Sequence, residues 1–156
     1  MKELLITGAW RCGEQQVQAL EQMGYAVTFW LDERQAVNMD TQRFEAVICG
    51  GLFLTTPIER FPALKCIQVT SAGLDRVPLD YCKAHGITVY NAGGVYSAPM
   101  AEFVVGGILQ LYKESKFFAE NQAAHRWEKH RGLRELSGKT ACIIGTGSVG
   151  SAIARR

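Results

Sequence analysis

Leu64-Lys65-Cys66-Ile67-Gln68-Val69-Thr70-Ser71-Ala72-Gly73 is an apolar run that stops abruptly in small, turn-forming residues. A short run of this kind, bounded by turn signals, reads as a strand from Leu64 to Thr70 followed by a tight loop. Downstream, Pro78 to His85 reads as a short helix, with Pro at its start and Gly86 past its end. Ile87 to Tyr90 is a further strand. Upstream, Ala46 to Cys49 is a strand closed by Gly50-Gly51, and Ala26 to Trp30 is another. Glu14 to Met23 carries Val17, Leu20 and Met23 on one helical face, with Gly24 as a stop. Leu4 to Thr7 is the first strand, ended by Gly8. Asp32 to Arg43 is too polar to assign. Continuous apolar strands alternating with helices imply a parallel sheet covered on both faces. The first ninety or so residues therefore read as a doubly wound α/β unit of five strands.

Beyond that unit, Ala98 to Phe118 reads as one long helix. Met100, Phe103, Val104, Ile108, Leu111 and Phe118 form one stripe, and Val105, Leu109 and Tyr112 occupy much of the other side. Such a helix is expected to be buried on more than one side. Gly106-Gly107 costs helix stability, roughly 1 kcal/mol per Gly, so close packing is expected there. Asn121 to Leu136 is a polar, basic connecting arm with Trp127 as its one large apolar residue. Lys139 to Ile144 reads as another buried strand, followed at once by Gly145-Thr146-Gly147-Ser148-Val149-Gly150 and the start of a helix. In that context Gly145 permits the tight turn, Gly147 lets the backbone approach a pyrophosphate, and Gly150 lets the helix pack closely on the strand. The helix start supplies free N–H groups and a favourable dipole for phosphate. A plain strand-to-helix turn is the alternative.

The chain has 156 residues and a net charge of +2, from 17 basic and 15 acidic side chains interspersed along it. No basic face or basic–aromatic alternation points to nucleic acid or to a membrane surface. The N-terminal apolar run is too short for a signal peptide, and the run Phe103 to Tyr112 is too short to span a bilayer. Five cysteines are scattered without a C-x-x-C pair. Three of them, Cys49, Cys66 and Cys142, lie in runs that read as buried strands, as expected of free thiols in a reducing cytosol. The chain is thus read as cytoplasmic, without a metal site.

Four motifs, in order, resemble the D-isomer-specific 2-hydroxyacid dehydrogenases. They are Phe61-Pro62-Ala63-Leu64-Lys65-Cys66-Ile67-Gln68-Val69 with Ser71-Ala72-Gly73-Leu74-Asp75; Asn91-Ala92-Gly93-Gly94-Val95-Tyr96-Ser97; Ala101-Glu102-Phe103; and Glu135 through Gly150. The resemblance implies a flavodoxin-like substrate lobe over residues 1–96, an interdomain helix and arm over 97–136, and the first β-turn-α of a Rossmann domain over 137–156. It implies an oxidoreductase that transfers hydride between NAD or NADP and a small 2-hydroxy or 2-keto acid, built as a homodimer. By resemblance, the N–H groups of Ala72 and Gly73 hold the substrate carboxylate; read from the residues alone, that loop is either an anion nest or a plain turn. Tyr96 matches a substrate-contacting position and Met100 a position near the nicotinamide, with ordinary core packing as the alternative for both. Gly145, Thr146, Gly147, Ser148, Val149 and Gly150 match the cofactor turn, and Asp75 and Glu102 are read as structural.

The family's catalytic Arg, Glu and His are expected beyond residue 156, so no residue here is assigned a catalytic role. His85, at a helix end, and His125 and His130, in the arm, are not read as catalytic. The expectation is a chain that is inactive alone, truncated within its dinucleotide-binding domain. The alternative is a non-catalytic α/β binding or assembly module derived from the same family.

Overall fold

The computed structural model describes residues 1–156, which form two units, Met1–Gly93 and Gly94–Arg156. In the first unit the chain runs β1 (Lys2–Thr7), α1 (Glu14–Gln22), β2 (Tyr25–Trp30), β3 (Ala46–Cys49), β4 (Cys66–Val69), α2 (Leu79–Ala84) and β5 (Thr88–Tyr90). The strands form one parallel sheet in the order β2-β1-β3-β4-β5. This is the flavodoxin-like order, and its strand direction of travel reverses at β1/β3, where ligand crevices open in such sheets.

Register explains the core. Leu5 pairs with Val47, and Val47 with Ile67, so these three side chains line one face in a row. They are buried together with Val37, Phe44, Leu52, Ile58 and Phe61. Leu4 and Ile6, one residue out of phase on β1, are buried on the other face. Hence β1 reads as a continuous apolar run rather than an alternating one.

The polar segment between β2 and β3 has no helix, yet it is firmly held. The Val37 N–H donates to Thr56 Oγ1 at 3.0 Å, and Arg60 Nη1 donates to the Val37 carbonyl at 2.6 Å. Thr41 Oγ1 donates to the Arg60 carbonyl. Arg60 closes a single turn of 3-10 helix at Ile58–Arg60, and Thr56 lies between it and a second such turn at Leu52–Leu54.

The second unit contains α3 (Ser97–Tyr112), α4 (Ser115–Ala123) and α5 (Ser148–Ala154) and no strand. Three expectations are corrected here. The segment Lys139–Ile144 is not a buried strand: it is irregular, Ile144 is fully exposed and Cys142 is exposed. A strand needs a neighbour for its N–H and C=O groups, and this unit offers none. The long helix ends at Tyr112 rather than Phe118. Glu114 takes a left-handed conformation (φ 49°), while its carboxylate meets His130 Nε2 at 2.9 Å. Nothing packs over Gly106 or Gly107, where an added Cβ would meet open space, and Ala101 is the one buried residue of α3. No helix is long and apolar enough to cross a membrane.

Candidate functional site

At the C-terminal end of β4 the chain turns through Ser71, Ala72 and Gly73. The N–H groups of Ala72 and Gly73 donate to no group of the protein. The carbonyls of the same loop are all engaged. The Ser71 carbonyl accepts from the Ala92 N–H at 2.9 Å, the Ala72 carbonyl from Asn91 Nδ2 at 2.7 Å, and the Gly73 carbonyl from Ser71 Oγ at 2.9 Å. With every carbonyl of the loop bonded, two adjacent N–H groups are left as unpaired donors, the arrangement an anion nest uses. A side chain at residue 73 would press its Cβ against the Asp75 carboxylate, 2.7 Å away.

A second cluster at the strand ends has no counterpart in the sequence reading. The Glu33 carboxylate lies over the ends of β1 and β3. Its Oε1 accepts from Gly50 N at 2.8 Å and from the Thr7 hydroxyl, and its Oε2 accepts from Gly51 N at 2.6 Å. The Glu33 carbonyl accepts from Thr55 Oγ1 at 2.7 Å. The β1/β3 crevice is therefore filled by the chain's own carboxylate, and the free donors lie one strand further on, after β4. Beside it, burial and then the Glu33 charge push the Cys49 thiol up to about 12. Glu33 sits in the polar stretch that carries no periodic pattern, so only the Gly50-Gly51 pair hinted that something approaches there.

In the second unit the glycine turn keeps part of the expected geometry, but the strand that Gly150 was expected to pack against is not formed. Gly145 has φ 99°, a conformation open chiefly to glycine. A Cβ on Gly150 would lie 2.0 Å from the Gly145 carbonyl oxygen, so helix and turn can meet this closely only without a side chain. Gly147 caps α5 and faces open space. Thr146 is pinned through its carbonyl by Ser151 Oγ at 3.0 Å. Ser148 and Val149 open the helix, whose first turn has no side-chain cap for its N–H groups. These residues fit a pyrophosphate. Tyr96 and Met100 lie at the start of α3, about half exposed, with the Met100 N–H donating to the Tyr96 carbonyl at 3.0 Å. They are not packed into a core.

The remaining singled-out side chains have structural partners. His85 stacks on Tyr81 with centroids 3.8 Å apart and turns Nδ1 to the Tyr81 carbonyl. His130 lies against Phe117 as well as Glu114. Glu102 pairs with Arg156 at 3.2 Å.

Residues 5–148 match the D-isomer specific 2-hydroxyacid dehydrogenase family through its catalytic domain. The chain belongs to that family. Among curated members, it is 32% identical over 114 residues to a glyoxylate/hydroxypyruvate reductase of Arabidopsis thaliana, covering 70% of this chain and 35% of the relative. It is 36% identical over 104 residues to the glycerate dehydrogenase of Hyphomicrobium methylovorum, covering 64% and 32%. The D-lactate dehydrogenase of Aquifex aeolicus, solved with NAD and lactic acid, superposes with a TM-score of 0.77 at 26% identity, over 97% of this chain and 47% of that one. A Sinorhizobium meliloti glyoxylate/hydroxypyruvate reductase, solved with NADP and malonate, shares the fold with a TM-score of 0.72 at 24% identity, over 99% and 49%. The chain thus spans half or less of the length of these relatives.

Proposed function

We propose that this chain carries the substrate-carboxylate loop and the pyrophosphate turn of an NAD- or NADP-dependent 2-hydroxyacid dehydrogenase. The observation that carries the reading is the pair of unpartnered N–H groups of Ala72 and Gly73 at the end of β4. They would hold the carboxylate of a small 2-hydroxy or 2-keto acid. Residues 1–96 are read as the substrate lobe, 97–136 as the interdomain helix and arm, and 137–156 as the opening of the dinucleotide-binding domain.

Gly145, Thr146, Gly147, Ser148, Val149 and Gly150 would hold the dinucleotide's pyrophosphate, with Met100 beside the nicotinamide and Tyr96 beside the substrate. When bound, the nicotinamide gives or takes the hydride. The other half of the reaction is proton transfer at the substrate oxygen, and it needs an acid–base group within hydrogen-bond reach. None of the three histidines is free for that role by its contacts or its place: His85 is bonded and stacked on α2, while His125 and His130 belong to the arm. The chain by itself is therefore read as inactive. A cytoplasmic location fits five cysteines that form no disulfide, and assembly is read as a homodimer.

Purified chain incubated with NADH or NADPH and a panel of 2-keto acids should oxidise no cofactor above the blank. Turnover that survives purification and is lost on substituting His85, His125 or His130 would overturn the reading of inactivity. A non-catalytic binding module would share that silence, but its loop would show no response to a 2-keto acid.

A further inference from the structure

We infer that Asn91 is a positioning residue for the substrate nest: its side chain sets the direction of the Gly73 N–H. This rests on the reading of Ala72 and Gly73 as carboxylate donors. In a trans peptide unit the C=O and the following N–H point in opposite directions, and the chain has no cis peptide. The Ala72 C=O and the Gly73 N–H belong to one such unit. Asn91 Nδ2 donates to that carbonyl at 2.7 Å, so the Gly73 N–H is turned away from Asn91 and outward. The preceding unit is treated in the same way by backbone alone. The Ala92 N–H holds the Ser71 carbonyl at 2.9 Å, which turns the Ala72 N–H outward. The segment that follows β5 thus aims both donors, one through a main-chain bond and one through a side chain.

Asn91 has a simpler occupation as well. Its Oδ1 accepts from the Gly93 N–H at 3.2 Å, an Asx turn at the exit from the first unit. That turn uses only the oxygen. Asp or Ser would serve it equally, whereas the bond to Ala72 needs the amide nitrogen and the reach of Asn. Nothing else in the chain donates to the Ala72 carbonyl. Freed of it, the peptide unit between Ala72 and Gly73 can rotate, and the nest loses one of its two donors.

The test uses the 156-residue chain and its Asn91→Ser variant, which keeps a turn acceptor and adds no charge. Sodium pyruvate is the probe, and amide resonances are the readout. In the wild type, both Ala72 and Gly73 should shift saturably. In Asn91→Ser, the Gly73 response should be lost while that of Ala72 persists, and the dissociation constant should rise about tenfold. An unchanged constant with an unchanged Gly73 response overturns the inference. If the wild type shows no pyruvate response, the substrate-loop reading falls, and Asn91 is judged without ligand. The Ala72 carbonyl carbon and Gly73 nitrogen should then move in Asn91→Ser while Ile67 to Val69 stay in place; no movement overturns it. Should Asn91→Ser fail to fold, the wild type decides, because its Asn91 Nδ2 protons should exchange more slowly than those of exposed Asn38. Equal rates overturn it.

Discussion

Glu33 shows how much can hang on one side chain outside any regular element. Its carboxylate bonds Gly50, Gly51 and Thr7, and so joins the end of β1 to the loop after β3. Charged hydrogen bonds contribute about 1.5–3 kcal/mol each, and removing a shared acceptor strands several donors at once. Glu33→Ala should therefore lower unfolding free energy in urea by about 2–4 kcal/mol, with the loss centred on that loop. Its neighbour Cys49 gives a pH dependence of definite sign. Burial raises its thiol from an ordinary 9.0 to about 12, so the unfolded chain loses that proton first as pH rises. Stability held below pH 9 should fall between about 9 and 12, since the unfolded state then binds fewer protons. A Cys49→Ala variant should show a shallower fall, measured by urea midpoints across that range. Thiol labelling at neutral pH should reach exposed Cys142 readily and Cys49 only on unfolding.

At the scale of elements, Thr56 offers the sharpest expectation. It is fully buried, and its hydroxyl receives the Val37 N–H. Thr56→Val keeps the shape but leaves that buried N–H unpaired, at about 1–3 kcal/mol; urea unfolding should show the loss without a change of fold. The same segment marks where sequence reading reaches its limit. Ala46–Cys49 and the start of α1 at Glu14 are legible because apolar runs or periodicity are bracketed by turn residues. Asp32 to Arg43 is shaped by bonds to Thr56 and Arg60, partners about twenty residues away that leave no local pattern. Tyr112-Lys113-Glu114 contains no breaker, and the helix stops there through Glu114–His130 and the bond from Arg134 N–H to the Tyr112 carbonyl. For Lys139–Ile144 the apolar run is genuine, but pairing is a property of neighbours. The loop after β4 was visible as Ser71-Ala72-Gly73; the bond from Asn91 to its Ala72 carbonyl was not, since Asn91 reads equally well as a turn residue.

For the whole molecule, the second unit leaves Phe103, Leu111, Trp127 and Ile144 strongly exposed. Large apolar side chains left this open offer contacts to a second copy of the chain, and association should follow. Light scattering at low micromolar concentration should give a mass above 17.2 kDa, and Phe103→Ser with Leu111→Ser should move it toward the monomer. A stable monomer in the wild type would refute this. Dinucleotide affinity should be weak, because α5 and its turn supply pyrophosphate donors with little surface to bury adenine or nicotinamide. Calorimetry detecting micromolar NAD binding that is lost on Gly147→Val would contradict it. The sheet order bears on synthesis. In β2-β1-β3-β4-β5 the first strand made is flanked on one side by the second and on the other by the third. Until Ala46 to Ile48 have emerged from the ribosome, β1 and β2 can pair but one edge of β1 stays open, leaving the backbone N–H and C=O groups of Leu4, Leu5 and Ile6 without their partners on β3. The nascent chain is most prone to wrong partners in that interval, and it closes only when Cys49 has cleared the exit tunnel.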